Sequence, residues 1–426
     1  MLAVLRNRDY ALLWFGQLVS VFGDWLLIVA LPFAVYDLTG SALATGTLLM
    51  VQTLPRIAFG SFAGVLVDRW DRRRTMIVTD LLRGGVLLAL LAVRAPDVVP
   101  ALYVVAFVNA TVAQFFTPAK SALLPRIVPD GQLTAANALD SFSDYLTRLV
   151  APALGGVLYG LFGLRLSVGV DAASFAVSAA CLAFLAATAG TREDGGAVGA
   201  LSLLTALQEW REGLRFAAQH GAVRAIFVMM ACVSIGAGVM SVAFVPFTRE
   251  ILGGGAAQRG LVLSAEGIGG LIGSVLLARV WERIPPATLI GVSGVGDALL
   301  LLAIVNFAGR VPISPVAFAC ALIAVAGITG VGLFVAANAL LQRVIPDAYR
   351  GRVFGAYGTT RATMTLCGQG IAYLLIDRIG VVPTASLEGT MELVAAVLAF
   401  VLLRRAARET ARSPQPITAS LNATDH

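Results

Sequence analysis

Long apolar segments follow one another along almost the whole chain, and short charged or Gly/Pro-containing stretches separate them. A helix needs about 20 mostly apolar residues to cross the roughly 30 Å hydrocarbon core of a bilayer. The pattern repeats often enough to predict an all-α integral membrane protein with twelve transmembrane helices. The predicted spans are 10–36, 42–67, 75–94, 99–120, 140–163, 166–189, 223–248, 260–280, 287–307, 313–341, 352–376 and 383–403.

A longer polar stretch separates six spans from six. We therefore expect an N-terminal six-helix bundle over 1–189, a cytoplasmic linker over 190–222, a C-terminal six-helix bundle over 223–405 and a disordered cytoplasmic tail over 406–426. Within the linker, apolar residues recur on one helical face between 201 and 220. This periodicity predicts an amphipathic helix on the cytoplasmic surface that ties the two halves together.

Composition excludes a water-soluble protein. Hydrophobic residues make up 58% of the chain and charged residues only 13%, whereas soluble domains carry about 25% charged residues. The net charge of +6 comes from arginines near the ends of spans, where anionic lipids are the expected partners. No basic stripe lies outside the loops, so nucleic acid is not an expected partner.

The distribution of basic residues predicts the orientation. Of the 31 Lys and Arg residues, twenty-one fall on the side that holds both termini, six on the other side and four inside spans. Under the positive-inside rule both termini are cytoplasmic, which requires an even number of spans. The abundance of Arg, Ala, Gly and Val suggests a bacterial source, so we expect a multi-pass protein of the bacterial inner membrane.

Enzymatic chemistry finds little support in the sequence. The four cysteines each lie alone in an apolar segment, and the two histidines, His220 and His426, lie outside the spans. No metal site or cofactor is therefore expected. The only lysine is Lys120 and no Walker motif occurs, which argues against ATP hydrolysis. A membrane enzyme using Asp24 or Asp144 remains an unfavoured alternative.

An internal repeat relates the two halves. Residues 122–130 read ALLPRIVPD and residues 339–347 read ALLQRVIPD, each at the end of the fourth span of its half. Two parallel six-helix repeats are typical of transporters that bind their substrate between the repeats.

The loop after the second span carries a recognisable motif. GVLVDRWDRRRT, residues 64–75, resembles the G-x-L-x-D-R-x-G-R-R signature of the major facilitator superfamily, with Asp71 in place of the second Gly. The sequence from Asn7 to Gly46 is similar to that of the branch of this superfamily that includes siderophore (enterobactin) exporters and macrolide-efflux proteins. The resemblance implies the major facilitator fold, alternating access, and a monomer that takes a small-molecule substrate.

The resemblance also implies two sets of functional residues. One is a cytoplasmic gating network that latches the halves together while the cavity faces outward: Gly64, Asp68, Arg69, Arg72, Arg73, Asp80 and Arg83. Alternatively, these charges only set topology. The other is an antiporter-like motif in the fifth span, Pro152, Gly155 and Gly156, with Ala151 replacing its first Gly. Ordinary helix packing is the alternative there.

Ionisable residues within spans are costly and are therefore candidates for coupling or substrate binding. The candidates are Asp24, Asp144, Arg148, Asp297 and Arg361. We expect Asp24 to be the protonatable group, unless it pairs with an arginine only for folding. Arg148 or Arg361 could instead hold an anionic substrate. Asp140, Asp144 and Arg148, four residues apart, can offset one another, and Asp80 can pair with Arg83.

Together these observations predict a secondary active transporter that exports a small organic molecule, of drug, macrolide or siderophore type, in exchange for protons. A lipid or metabolite carrier of the same fold is the alternative within transport. A non-transporting sensor or scaffold is the alternative from another class.

Overall fold

The computed structural model describes residues 2–67, 69–92, 98–186, 203–280 and 284–412. Regular structure in these ranges is helical throughout, which confirms the predicted all-α class. The long helices are Arg8–Thr39, Ala42–Val67, Arg72–Ala92, Val98–Ile127, Leu133–Ala183, Gly221–Pro246, Ala256–Val280, Pro286–Phe307, Pro315–Val344, Asp347–Ile379 and Val381–Arg412, with a linker helix at Leu203–Gln219.

Twelve membrane crossings follow from these helices, and we number them span one to span twelve. Within the described ranges, 9 helices are long and apolar enough to cross a bilayer. Leu133–Ala183 supplies both span five and span six, because the chain turns at Gly163 with φ 73° and ψ −171°. Span three, Arg72–Ala92, and span eleven, Asp347–Ile379, are more polar but complete the two bundles.

The start of span one and the end of span twelve lie on one face, which we call the terminal face. The start of span one meets the end of span six, where the Ala186 amide donates to Asp9. The start of span seven likewise packs against the end of span twelve, with Gly221 against Ala406. The two copies of the repeat end spans four and ten on this same face. We call the other side the opposite face.

The halves contact each other through two symmetry-related pairs of helices. Span five packs against span eight, and span eleven packs against span two. Shifting each member by six spans converts one pair into the other, as a pseudo-two-fold axis between parallel repeats requires.

The linker helix is docked on the C-terminal half. Its Phe216 ring stacks on Tyr349 at the start of span eleven, and Glu212 pairs with Arg352 at 2.8 Å. Gly213 lies directly against the Arg352 carbonyl. The apolar face predicted for this helix is thus covered, at least in part, by protein.

Two domain boundaries differ from the predicted ones. Span twelve continues as a helix to Arg412, beyond the expected end at 405, and span six ends at Ala183. The predicted disordered tail beyond 412 and the linker before 203 lie outside the described residues.

Candidate functional site

A cavity of about 850 Å³ opens at the terminal face, against the ends of spans ten and eleven of the C-terminal half. Its described lining includes Arg343 of span ten and Arg350 of span eleven, with Phe354 one turn further on. A smaller recess lies in the N-terminal half between spans one, four and five. At the opposite face the two halves are in direct contact.

Glycines hold the opposite face closed. Gly156 of span five lies against the Ala256 carbonyl, and Gly260 of span eight lies against the Pro152 carbonyl. A Cβ at either glycine would overlap the facing backbone. Gly155 faces span one, where an added Cβ would lie 2.8 Å from the Leu26 Cα. The predicted helix-five motif therefore stands at the close crossing of spans five and eight.

A polar cluster ties the halves together beyond this crossing, and we call it the opposite-face latch. Arg249, after span seven, pairs with Asp37 of span one at 2.5 Å. The Tyr159 hydroxyl donates to Asp37 at 2.9 Å, and the Tyr36 hydroxyl donates to Glu250 at 3.1 Å. The sequence indicated none of these contacts, because charges at span ends also serve topology.

The latch predicts a measurable effect on gating. Arg249→Ala removes the ion pair across the halves, and a partly exposed pair contributes at most about 1 kcal/mol. We expect the opposite face to open more often, so that a cysteine at Val245 reacts with an external thiol reagent roughly two to five times faster. Arg310→Ala, at an exposed arginine on the same face, is the control. Equal labelling rates in both variants would show that the latch has no part in closure.

Asp24 forms an ion pair inside the N-terminal half. Arg83 of span three contacts Asp24 of span one at 2.5 Å and donates through Nε to Asn109 of span four at 2.6 Å. Its guanidinium also lies 4.2 Å from the ring centre of Phe175. Asp80 and Arg83 interact electrostatically, but among the described residues the carboxylate in direct contact with Arg83 is that of Asp24.

Two more aspartates border this ion pair. Asp80 and Asp171 are fully buried, and both interact electrostatically with Arg83 and Asp24. Asp171 accepts from the Ser174 hydroxyl. Among the described residues, no hydrogen bond of regular geometry reaches either oxygen of Asp80. The sequence placed Asp80 in the gating network, and the fold brings both Asp80 and Asp171 to Asp24.

The second half holds acids of its own. Asp297 of span nine and Glu392 of span twelve are buried and lie within hydrogen-bonding reach of each other. Thr329 also donates to Asp297 at 3.3 Å, and Glu388 lies one turn from Glu392. Sequence reasoning missed both glutamates of span twelve, although the rule that singled out Asp297 applies to them equally.

The charges of span five have partners beyond those expected. Asp140 pairs with Lys120 of span four at 2.9 Å and accepts from Tyr10. Asp144 interacts electrostatically with Lys120 as well as with Asp140 and Arg148. Arg148 also lies 5.2 Å from the ring centre of Trp25 and interacts with Glu266 across the interface. It therefore stands between the halves.

Arg361 of span eleven has an exposed side chain. Its guanidinium lies 6.0 Å from the Tyr357 ring centre, and it is not brought together with Arg148 in any contact among the described residues.

The predicted gating network is divided between two places. Asp80 and Arg83 lie in the interior of the N-terminal half, whereas Arg69 is exposed in the loop. Arg73 donates to the Leu182 carbonyl at 2.9 Å and to the Ala183 carbonyl, which anchors the loop to span six. Asp68 lies outside the described residues, and Gly64 lies within span two.

Asp71 has a local role that accounts for its departure from the signature. Its carboxylate accepts from the Arg74 amide at 2.7 Å, close to the start of span three at Arg72. A carboxylate there satisfies an amide that has no partner within the helix.

Two six-helix repeats that pack together through symmetry-related pairs of helices are the architecture of membrane transporters of the alternating-access type. The model of the family described as transmembrane secretion effector matches residues 1–422. The chain belongs to this family, within the major facilitator superfamily, and is a transporter rather than an enzyme.

Curated relatives cover most of the chain. Macrolide efflux protein A of Streptococcus pyogenes is 25% identical over 389 residues, covering 91% of this chain and 94% of the relative. The multidrug efflux pump Tap of Mycolicibacterium fortuitum is 26% identical over 428 residues, covering 96% and 99%. The uncharacterized MFS-type transporter YfiS of Bacillus subtilis (strain 168) is 26% identical over 382 residues, covering 86% of each.

Solved structures share the fold. A bacterial homologue of the iron transporter ferroportin, in an inward-facing state, superposes with a TM-score of 0.75 at 17% identity, covering 94% of this chain and 98% of the other. A POT family transporter superposes with a TM-score of 0.74 at 13% identity, covering 94% and 96%.

Proposed function

We propose that the protein exports a small organic molecule from a bacterial cell by exchanging it for protons, working as a monomer in the inner membrane. The observation that carries this proposal is that glycines and the latch hold the halves together at the opposite face, whereas the described cavity opens at the terminal face. Alternating access requires such a conformation. Since basic residues concentrate on the terminal face, we assign that face to the cytoplasm and the conformation as inward-facing.

The direction and the substrate class draw support from the relatives. Their printed names describe macrolide efflux, multidrug efflux and, as putative, bacilysin export. A cavity of about 850 Å³ falls in the range that accommodates drug-sized ligands, roughly 300–1,000 Å³. We therefore infer an organic substrate of this size that enters from the cytoplasm.

Coupling to protons draws support from the carboxyl groups inside both bundles. Asp24, Asp80 and Asp171 share one arginine, and Asp297 adjoins Glu392. Ionised carboxyls within a membrane are costly, so such groups are retained where they bind cations or protons. In the part of the chain that the structure describes, no group of acids, cysteines and histidines is arranged to hold a metal ion. Protons are therefore the coupling ion that we infer.

A carrier for an anionic metabolite is the second candidate. Arg343 and Arg350 line the mouth of the cavity, and Arg148 stands between the halves. Three guanidinium groups around one pathway would attract an anion and lower its entry barrier. Uptake assays with an anionic and a cationic probe of equal size separate the two candidates.

Transport in inside-out vesicles tests the coupling. With a macrolide as probe, we expect wild-type protein to accumulate it when the vesicle lumen is acidified. Asp24→Asn abolishes this proton-driven accumulation, because the residue can no longer exchange a proton or pair with Arg83 as an anion. Expression stays at the wild-type level. Asp347→Asn, at an aspartate whose side chain is 88% exposed, is the control, and unchanged accumulation in Asp24→Asn would remove Asp24 from the coupling mechanism.

A further inference from the structure

The acids around Arg83 are out of charge balance. Three carboxyl groups, those of Asp24, Asp80 and Asp171, adjoin a single guanidinium. Among the described residues, span four contributes the neutral amide of Asn109 and span six contributes the hydroxyls of Ser174 and Ser178. If all three carboxyls were ionised, the cluster would carry a net charge of −2. Desolvation makes that state unfavourable in a membrane interior.

The geometry distinguishes the three acids. Asp24 receives the guanidinium directly at 2.5 Å, and 32% of its side chain is exposed. Asp80 and Asp171 are both 0% exposed. In the described part of the chain, no hydrogen bond of regular geometry reaches either oxygen of Asp80 or Oδ2 of Asp171. The Ser178 hydroxyl, a donor group, lies near the Asp80 carboxyl. A buried carboxylate normally receives several hydrogen bonds or a cation, so these oxygens indicate neutral carboxylic acids.

The fold keeps Asp171 close to the ion pair. An added Cβ at Gly23, the residue before Asp24, would overlap both Asp171 Oδ1 and the Ser174 hydroxyl. Only glycine therefore allows span six to approach span one this closely. The carboxyl of Asp171 consequently lies beside the Asp24–Arg83 pair, at a place that a guanidinium could reach by a small movement.

We propose that Asp80 and Asp171 hold the exchanged protons in this conformation, while Asp24 remains ionised against Arg83. This assignment rests on the proposed proton exchange and makes it specific. Asp24 is then the group from which the proton leaves the cluster to water. Gln17 and Val21, seven and three residues earlier on span one, line the small recess, so Asp24 lies on the same side of the helix.

The transfer step conserves charge. The guanidinium of Arg83 moves from Asp24 to Asp171, the O–H bond of the Asp171 carboxyl breaks, and an O–H bond forms on Asp24. One carboxylate and one guanidinium remain paired before and after the step. Asp24, now neutral and partly exposed, releases the proton to water. Asp80 stays protonated through this step or supplies the next proton by the same exchange.

Infrared spectroscopy of the purified protein tests the assignment without a substrate. Neutral carboxyl groups absorb separately from carboxylates, and asparagine is a close isostere of the neutral acid. We expect Asp80→Asn and Asp171→Asn each to remove part of the neutral-carboxyl band at neutral pH. The double variant Asp24→Asn/Arg83→Gln retains the band, because no guanidinium is left to ionise Asp171. Asp297 and Glu392 contribute equally to all three variants, and exposed Asp347→Asn is the control. An unchanged neutral-carboxyl band in both Asp80→Asn and Asp171→Asn overturns the assignment.

Vesicle transport of a macrolide separates this proposal from the underlying one. We expect Asp171→Asn and Asp80→Asn to fold and to carry the probe down its gradient, because each mimics the protonated state, but to lose accumulation driven by an acidic lumen. Undiminished proton-driven accumulation in both variants overturns their role. If wild-type protein moves no probe in response to protons while the infrared bands follow the assignment, proton exchange fails and the protonation states stand.

Discussion

Replacing Arg83 by glutamine lowers the free energy of unfolding by roughly 3–5 kcal/mol, the usual cost of removing one partner from a buried ion pair. Arg83 is 8% exposed, and it is the group that balances Asp24 and adjoins Asp80 and Asp171. Glutamine keeps a donor but not the charge, so a carboxylate is left without a cation. Denaturant titration of the purified protein in mixed micelles measures the difference.

Two further variants make this test specific. Arg361→Gln removes an arginine whose side chain is exposed, so its effect is expected to be small. The double variant Asp24→Asn/Arg83→Gln removes both charges and should recover much of the lost stability. If the free energy of unfolding of Arg83→Gln is no lower than that of Arg361→Gln, the ion pair does not stabilise the protein and the account of the acidic cluster is wrong.

Gly156→Ala reduces transport about tenfold or more, because the closed conformation of the opposite face becomes disfavoured. The added methyl group overlaps the Ala256 carbonyl, and neither helix backbone can move without opening the crossing of spans five and eight. A bias of about 1.4 kcal/mol against closure already changes the equilibrium tenfold. Initial rates of macrolide uptake into inside-out vesicles report the effect.

Span five offers a matched control for this substitution. Gly160 lies one turn beyond Gly156, and an added Cβ there meets no atom within 4 Å. Both changes have the same effect on helix propensity, so only the contact with span eight differs. Gly160→Ala should transport at the wild-type rate. Similar losses in both variants would mean that the close crossing is unrelated to gating.

The membrane topology could be predicted from the sequence because each span must bury its own backbone in lipid, which leaves a local and additive signal. The repeat was found from identical residues in the two halves, and the Pro152 motif was found from its resemblance to a family motif. Helix ends were less certain, and the Gly163 turn was expected to be a short loop. There a single residue with positive φ joins two helices.

The partners of the candidate residues could not be predicted in this way. Asp24 stands out in the sequence as a charge within a span, but Arg83 lies 59 positions further along the chain, and nothing local connects them. The spacing of Asp80 and Arg83 is that of an ion pair within one helix. In the structure, Arg83 instead makes its direct contact with Asp24 on another helix. Glu388 and Glu392 could have been identified from the sequence, since both are charged residues within the apolar segment of span twelve.

The turn at Gly163 has a mechanical consequence. Span five carries the glycines of the crossing, and span six carries Asp171 with its serines. A flexible loop would let these two helices move independently, but one residue permits little more than rotation about its own dihedral angles. A tilt of span five as the opposite face opens would therefore also move span six. Opening of the opposite face and release of the proton would then occur together, because the turn at Gly163 connects the two helices.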